Sequence, residues 1–481
     1  MKPALIAALT LTMAMATPPV ARAATLDPQP CPFADDTASH RAVCSRFERE
    51  EGGVSIAFDV AVLTPATRRS TGHVVYIPGG PGEAPVSAGG VFADLLAPFD
   101  DRTVVLFNPR GTLNTEPRMT CDFGDLVWDE DFGDARAQDV LRGCVDRLDR
   151  EGPDPALFTS LEIAEDIDAM LGALGIARSG LYGISYGTEA GLHLLAQAPR
   201  WLAFAILDSV SVPGVSGMVD ELAARDRFLA EIDRACFAGR RCSALARDGA
   251  ASLAEWVAQF DGTPLVFHLE RGEAWSFDGT DMLDYLGQLA AYPDGLDFAL
   301  ALVEMLQTGR LRATGWISDD IASNTEFSAA SLPLMLQAYS DTIDTGDVAL
   351  LDRPTRYALN RESAAMQLDF MRLWHGARPR EANFLEDGAG EAPVPVLVLS
   401  GGVDPFTPAE WARSLHARFT GLEHYVFPLL GHAVSVAPVQ PVVDAEMTMQ
   451  MRCAHGVVRA FLNPTLGAGD ACETYRSENG R

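Results

Sequence analysis

The stretch SGLYGISYGTEAGLHLLAQ (residues 179–197) decides the fold. Its first residues, 179–182, are predicted to form a strand that leads into Gly183, and residues 187–197 are predicted to form a helix. Between them, GISYG (183–187) is predicted to be a sharp turn in which side chains larger than glycine at the two ends would clash. Because such a turn exposes its central hydroxyl, Ser185 is a candidate nucleophile. An ordinary glycine-rich turn between a strand and a helix is the alternative interpretation of the same sequence pattern.

Short apolar runs on either side of this stretch predict further strands. Several end in loops rich in glycine and proline, and helices are predicted between them, as in residues 161–174. Strands that alternate with helices indicate an α/β fold, a mostly parallel sheet with helices on both faces. The predicted strands are residues 54–62, 73–77, 103–107, 202–207, 394–399 and 424–427.

Two polar residues near the ends of the last two predicted strands complete a catalytic constellation. A serine nucleophile needs a base to accept its proton and an acid to orient that base. Asp404 and His432 lie in these loops, at the sheet edge where Ser185 is also expected. The chain order Ser, Asp, His is that of α/β-hydrolases, so we predict the triad Ser185, Asp404 and His432. Asp208, after another strand, remains a rival for the acid.

An oxyanion hole requires two backbone N–H donors. Tyr186 is expected to supply one, because it follows the nucleophile directly. The loop PGGPG (78–82) follows a predicted strand, and its glycines allow the backbone to approach a substrate. We predict Gly80, rather than Gly79, as the second donor, with a plain turn as the alternative.

The pattern changes over residues 213–391, where helical segments dominate. The core is therefore predicted to be discontinuous, formed by residues 24–212 and 392–481, with residues 213–391 as a helical cap domain. The helices predicted in this insertion are residues 218–238, 281–291, 296–306 and 329–339; residues 265–269 are a possible strand.

The N-terminal residues and the cysteines both indicate export. Residues 1–23 combine Lys2, an apolar run and a small-x-small site at residues 21–23, which predicts a cleaved signal peptide; an uncleaved membrane anchor is the alternative. Disulfides are expected in the periplasm or outside the cell. The sequence leaves the pairing open, but neighbouring cysteines suggest the couples Cys31/Cys44, Cys121/Cys144, Cys236/Cys242 and Cys453/Cys472.

Charge and motif content exclude some classes of function. The chain has 37 Lys and Arg against 66 Asp and Glu, a net charge of −29, which opposes nucleic-acid binding. It contains neither a C-x-x-C pair nor an H-E-x-x-H motif, so we expect no metal site and no cofactor. The expected partner is a short peptide or a small acyl substrate, without stable membrane insertion once the signal peptide has been removed.

Four motifs together resemble the proline iminopeptidase and tripeptidyl aminopeptidase group of serine peptidases. They are the PGGPG loop, the GISYG turn, Gly402-Val-Asp-Pro405 with Thr407-Pro408, and Gly431-His432. Cys453 and Cys472 also resemble the C-terminal pair of secreted members. The resemblance covers most of the mature chain and is weakest in the insertion. It implies an α/β-hydrolase fold, a helical cap and release of residues from free peptide N-termini.

This sequence departs from the group at three points. Pro78 stands where many relatives have His, and Asn108-Pro109 stands where they have Asp-Gln. An aminopeptidase also needs a carboxylate for the substrate ammonium, and the sequence does not identify it among the candidates Glu189, Glu273, Asp278 and Asp281. A carboxylesterase or other acyl hydrolase with the same triad is therefore the alternative function. A non-catalytic binding protein on the same scaffold is a third.

Overall fold

The computed structural model describes residues 24–33, 40–87, 97–122, 135–152, 154–215, 218–239, 241–242, 249–268, 274–307, 331–338, 372, 384–386, 390–436, 444–467 and 469–477. The predicted signal peptide and Glu273 lie outside these residues.

The strands form one large sheet and one hairpin. In chain order they are β1 (Thr25–Gln29), β2 (His40–Glu51), β3 (Val54–Pro65), β4 (His73–Ile77), β5 (Thr103–Phe107), β6 (Ser179–Ile184), β7 (Leu202–Asp208), β8 (Leu265–His268), β9 (Ala274–Phe277), β10 (Gly390–Gly401) and β11 (Phe419–Phe427). The nine-stranded sheet has the order β1-β2-β3-β5-β4-β6-β7-β10-β11, and β8 pairs with β9.

The sheet confirms the predicted fold class. From β5 to β11 all neighbouring strands are parallel, while β1, β2 and β3 extend one edge in antiparallel pairing. The sequence predicted none of β1, β2 or β9. In β2, HRAVCSRFEREE, charged residues interrupt the apolar pattern, and the buried side chains are only His40, Cys44 and Phe47. Their irregular spacing hides the period of two that identifies a strand.

Helices connect the parallel strands and form many of the described residues between β7 and β10. They are α1 (Ala135–Glu151), α2 (Ser160–Ala173), α3 (Gly187–Gln197), α4 (Met218–Ile232), α5 (Leu253–Val257), α6 (Gln259–Gly262), α7 (Gly279–Gln288), α8 (Gly295–Gln307), α9 (331–338), α10 (Ala409–Ser414), α11 (Ala445–Leu462) and α12 (Asp470–Glu473). A π-helix at Asp233–Ala238 continues α4, and short 3₁₀ turns lie at Ala97–Phe99, Pro155–Leu157, Leu289–Ala291, Phe384–Glu386 and Leu415–Ala417.

The hydrophobic core lies on both faces of the sheet. Alternate residues of β4 show this: Val75 and Ile77 pack into one cluster, and Val74 and Tyr76 pack into the other. Strands covered on both sides read as continuous apolar runs, which is why β4 and β5 were visible in the sequence. The packing fixes the carboxyl ends of the strands, and the candidate site is built on them.

A buried ion network fixes the loop after β5. The guanidinium of Arg110 donates to both carboxylate oxygens of Asp166 in α2, each at 2.7 Å. It also donates to Glu51 at 2.8 Å and to the carbonyl of Leu157 at 2.8 Å. Burial disfavours the charged form of Arg110, but the bonds and charges of Asp166 and Glu51 outweigh it and raise the pKa of the guanidinium. This network joins the sheet edge to the helix layer.

The cysteines form four disulfides, and each joins neighbours in sequence. The pairs are Cys31–Cys44, Cys121–Cys144, Cys236–Cys242 and Cys453–Cys472. In the part of the chain that the structure describes, no helix is both long and apolar enough to cross a membrane.

Candidate active site

Ser185 lies in a strained turn between β6 and α3. Its φ is +55°, a conformation that residues with a side chain adopt rarely. The flanking glycines are required by space: a Cβ on Gly187 would lie 2.2 Å from the carbonyl oxygen of Ile77, and one on Gly183 would lie 2.8 Å from that of Gly187. The N–H of Ser185 donates to the carbonyl of Asp208 at 3.0 Å. The turn is therefore held by both neighbouring strands, with Ser185 partly exposed at the sheet edge.

The loop after β4, which carries the predicted oxyanion donor, passes directly beside Ser185. A Cβ built on Gly79 would lie 3.0 Å from the Cβ of Ser185. The N–H of Gly79 donates to Oε2 of Glu83 at 3.1 Å, so this donor is already engaged. Gly80 has a φ of +103°, which favours glycine. Gly80 follows Gly79 and Tyr186 follows Ser185, so the two predicted donors are the chain neighbours of the residues that meet here.

Asp404 is buried in the loop after β10 and is saturated with hydrogen bonds. Its Oδ1 accepts the backbone N–H groups of Phe406 and Thr407 at 2.9 and 3.0 Å. Its Oδ2 accepts the Thr407 hydroxyl at 2.7 Å and pairs with Nδ1 of His432 at 2.9 Å. The carboxylate is consequently fixed in one orientation, aimed at the imidazole.

His432 follows β11 and is held on several sides. Its Nδ1 lies 3.1 Å from the Thr407 hydroxyl as well as 2.9 Å from Asp404. The ring of Phe406 packs edge-on with its centroid 5.6 Å away. Burial disfavours the charged imidazole, but the carboxylate of Asp404, followed by those of Asp208 and Glu83, raises the pKa of His432 above its ordinary value. The ring is thus more basic than a free histidine, as a proton acceptor should be.

Asp208 forms hydrogen bonds with the loop that carries His432. Among the described residues, it forms none with the imidazole itself. Its Oδ1 accepts the N–H of Val434 at 3.1 Å, and its Oδ2 accepts the N–H and hydroxyl of Ser435 at 2.8 and 2.5 Å. The neighbouring Ser209 hydroxyl accepts the N–H of Ala433 at 2.8 Å. The rival acid is therefore placed as a support for the histidine loop.

The segment between β7 and β10 touches the site from two sides. The carbonyl of Ala290 accepts the N–H of His432 at 2.8 Å, and that of Pro293 accepts the N–H of Gly431 at 3.1 Å. On the other side, a Cβ built on Gly82 would lie 2.3 Å from the Cβ of Ser331, at the start of α9. The inserted segment thus contacts both the loop after β4 (residues 78–82, the oxyanion loop) and the loop after β11 (residues 428–436, the histidine loop).

The acids that the sequence offered for binding an ammonium are engaged elsewhere. Glu189 accepts the Ser211 hydroxyl at 2.5 Å. Asp278 and Asp281 accept each other's backbone N–H groups at 3.1 and 3.0 Å, an arrangement that caps the start of α7. Burial, opposed by the N–H of Asp278 and reinforced by the negative charges of Asp278 and Asp284, raises the pKa of Asp281 to about 6.

Sequence reasoning gave no role to three residues that the structure brings to the site. Thr407 contacts both Asp404 and His432, Glu83 contacts Gly79, and Ser435 joins Asp208 to the histidine loop. A Thr three residues after an Asp in a loop is typical of an Asx turn, which could have drawn attention to Thr407. The positions of Glu83 and Ser435 depend on tertiary contacts that no local pattern encodes.

Two known families match separate parts of the chain. The alpha/beta hydrolase fold family matches residues 72–243, which include Ser185, and the family described as TAP-like protein matches residues 372–463, which include Asp404 and His432. Curated relatives include Serine protease Hip1 of Mycobacterium tuberculosis and of Mycobacterium bovis, each 29% identical over 196 residues. The alignment covers 38% of this chain and only 37% of those relatives.

Solved structures with a similar chain trace are distant in sequence. An esterase from Thermogutta terrifontis gives a TM-score of 0.36 at 14% identity and covers 85% of this chain and 95% of its own. An alpha/beta hydrolase fold protein from Chitinophaga pinensis gives 0.35 at 12% identity, with 89% and 98% covered. At these values the assignment of the fold depends on the family match and on the observed sheet order.

Proposed function

We propose that this chain, an α/β-hydrolase that is similar in part to TAP-like proteins, is an exported aminopeptidase that releases residues from free peptide N-termini through an acyl-enzyme on Ser185. Its standing as a serine hydrolase follows from the family matches. Its specificity for peptides with a free amine, and its location outside the cytosol, are the parts that we propose.

The pair formed by Asp404 and His432 carries the proposed mechanism. With the Oδ2–Nδ1 distance at 2.9 Å, Nδ1 is the protonated nitrogen and donates to Asp404. The lone pair of Nε2 is then left to accept the Ser185 proton. Asp404 is fully hydrogen-bonded and buried, so it stays in place while the imidazole becomes charged.

The proposed reaction has two steps. The Ser185 hydroxyl attacks the substrate carbonyl as His432 takes its proton, and the oxyanion is bound by the N–H groups of Tyr186 and Gly80. His432 then protonates the leaving amine, the C–N bond breaks and the acyl group remains on Ser185. Water, deprotonated by His432, cleaves this ester and restores the serine.

The contacts of the inserted helices support a cap over the site. We propose that residues 213–391 form this cap and restrict access to short, flexible peptides. Support comes from the hydrogen bond between His432 and Ala290 and from the packing of Ser331 on Gly82.

Four disulfides support the proposed location, because such bonds persist in oxidising compartments. We expect the mature protein to be found in the periplasm or medium with Ala24 as its first residue. N-terminal sequencing of the exported protein tests this, and recovery in the cytosol with free thiols would contradict it.

Two measurements test the activity. A labelled fluorophosphonate should modify Ser185, as located by peptide mass spectrometry, and should not label Ser185→Ala; labelling of a different serine would refute the assignment. A panel of aminoacyl amides, their N-acetylated forms and short acyl esters should then show a preference for the free amine. Equal rates on free and acetylated amides, with faster ester cleavage, would make the protein an esterase with the same triad.

A further inference from the structure

Glu83 lies at the end of the oxyanion loop, beside the candidate nucleophile. Its Oε2 accepts the N–H of Gly79 at 3.1 Å. A Cβ built on Gly79 would lie 3.0 Å from the Cβ of Ser185 and 3.5 Å from Oε1 of Glu83. The carboxylate of Glu83 and the Cβ of Ser185 therefore both lie within 3.5 Å of the position that a Cβ on Gly79 would occupy.

The carboxylate of Glu83 is held in place from inside the protein. Besides the N–H of Gly79, it receives a hydrogen bond from the hydroxyl of Tyr76. Burial and the nearby charge of Glu83 raise the pKa of Tyr76, so its hydroxyl remains a donor at neutral pH. An ionised carboxylate has about four acceptor positions, and these two donors leave some of them for a ligand.

Within the described residues, Glu83 has no Arg or Lys ion-pair partner. The positive group that acts on it is His432, which already shares its charge with Asp404 and Asp208. Burial raises the pKa of Glu83 despite the hydrogen bond from Gly79, the charge of His432 and the hydrogen bond from Tyr76. A half-buried carboxylate in this position would gain from a cation supplied by the substrate.

We propose that Glu83 binds the α-ammonium group of the N-terminal residue whose carbonyl Ser185 attacks. This inference depends on the proposed aminopeptidase function and identifies the carboxylate that such an enzyme needs. It also explains how esters are disfavoured: without an ammonium, the charge of Glu83 would oppose the oxyanion that develops beside it.

The position of Glu83 also determines how many residues are released. In an N-terminal residue, the amine and the carbonyl carbon are joined through one Cα and lie about 2.5 Å apart. Each extra residue moves the amine roughly 3.3–3.6 Å further along an extended chain. A carboxylate that shares a neighbour with Ser185 therefore fits the release of single amino acids rather than tripeptides.

The test compares one aminoacyl coumarinyl amide with its N-acetylated form in wild type, Glu83→Gln and Glu189→Gln. Gln can still accept the N–H of Gly79 but carries no charge. The ratio of kcat/KM for free over acetylated substrate should fall at least about tenfold in Glu83→Gln. It should keep its wild-type value in Glu189→Gln, a control that removes a nearby carboxylate bound to Ser211.

Each other result has a distinct meaning. If wild type prefers the free amine and Glu83→Gln keeps that preference, the ammonium binds elsewhere and this inference is wrong, while the aminopeptidase proposal stands. Equal losses on both substrates would make Glu83 a support of the loop only. If wild type has no preference for the free amine, the proposed function itself fails.

Two further measurements guard against a misfolded variant. Stoichiometric fluorophosphonate labelling of Ser185 in Glu83→Gln reports an assembled site independently of peptide turnover. Glu83→Asp keeps the charge but withdraws it by one methylene, so KM for the free amine should rise while kcat changes less. On unlabelled peptides, wild type should release single amino acids first; tripeptides as first products would overturn the inference.

Discussion

The carboxylate of Asp208 accepts both the backbone N–H and the hydroxyl of Ser435, three residues beyond His432. The same residue accepts the N–H of Ser185 on its main-chain carbonyl, at 3.0 Å. Asp208 therefore connects the turn of the nucleophile with the loop of the base. Tyr182 extends the connection, because its hydroxyl lies 2.7 Å from that of Ser435.

Asp208→Asn should lower kcat by roughly tenfold to a hundredfold. Its amide nitrogen cannot accept a hydrogen bond, so the N–H of either Val434 or Ser435 would lose its acceptor, and a small misplacement of a catalytic group has this effect. Asp404→Asn should lower kcat by about 10⁴-fold, the size expected when the acid of such a triad becomes an amide. Steady-state kinetics on one aminoacyl amide compares the two. A larger loss in Asp208→Asn than in Asp404→Asn would make Asp208 the acid.

Thr407→Val should lower kcat roughly tenfold and change KM little. The valine keeps the shape but loses the hydroxyl that donates to Oδ2 of Asp404 at 2.7 Å and lies 3.1 Å from Nδ1 of His432. A hydrogen bond to a charged group contributes about 1.5–3 kcal/mol, and here the loss would fall on the orientation of the carboxylate.

Thr407→Ser is the matched control, because it restores the hydroxyl without the methyl group. It should recover most of kcat in the same assay. Equal losses in Thr407→Ser and Thr407→Val would assign the role of Thr407 to the packing of its methyl group.

The fold was predictable because its central strands are buried on both faces and so appear as uninterrupted apolar runs. The GISYG turn was predictable for a related reason. A Cβ at Gly187 has no room beside Ile77, so this position requires glycine and the motif can be recognised in the sequence. Local patterns of this kind survive in any single sequence. Strand β2 was not predictable, because charged residues interrupt its alternating apolar pattern and its pairing with β3 depends on tertiary contacts.

The candidate site was predictable only in part, for the same physical reason. Asp404 and His432 follow strands of the sheet, and the chain order Ser, Asp, His reduces the number of candidates for the acid and the base. Glu83 and Ser435 gain their places from loops that meet across the sheet edge, and Thr407 is positioned by the turn after Asp404. The choice between Asp404 and Asp208 also needed coordinates, since both residues come near the end of a buried strand.

Replacing Arg110 should destabilise the protein without removing a catalytic group. Arg110→Leu would leave the buried carboxylate of Asp166 with Arg49 as its ion-pair partner, at 2.9 Å, so the loss should reach at most the about 3–5 kcal/mol of a fully broken buried pair. Arg110→Lys should also lose stability, because an ammonium cannot reproduce the two parallel bonds to Asp166. Urea unfolding followed by circular dichroism measures both.

Arg142→Leu is the control for this comparison. Its pair with Asp139 lies at the surface of α1, with 52% and 73% of the two side chains exposed, so the loss should stay below about 1 kcal/mol. Similar losses in Arg110→Leu and Arg142→Leu would mean that the buried network contributes little to folding.

His424 should make the protein less stable as the pH falls from 7 to 5. It is buried in β11, where Nε2 lies 3.0 Å from the Ser400 hydroxyl. Burial, followed by the positive charges of His416 and Arg413, lowers the pKa of His424 from 6.5 to about 3. The unfolded chain therefore binds a proton below pH 6.5 that the folded chain refuses, so this contribution to stability is complete above pH 6.5 and is lost progressively towards pH 3.

The size of the effect follows from the linkage between protonation and folding. Between pH 7 and pH 5, His424 alone should remove about 2 kcal/mol from the free energy of unfolding. His424→Asn can still bond to Ser400 but does not titrate, so its stability should fall by that much less than wild type over the same interval. Urea unfolding of both proteins at pH 7, 6 and 5 measures the difference. Parallel curves would show that His424 takes up its proton equally well in the folded and the unfolded chain.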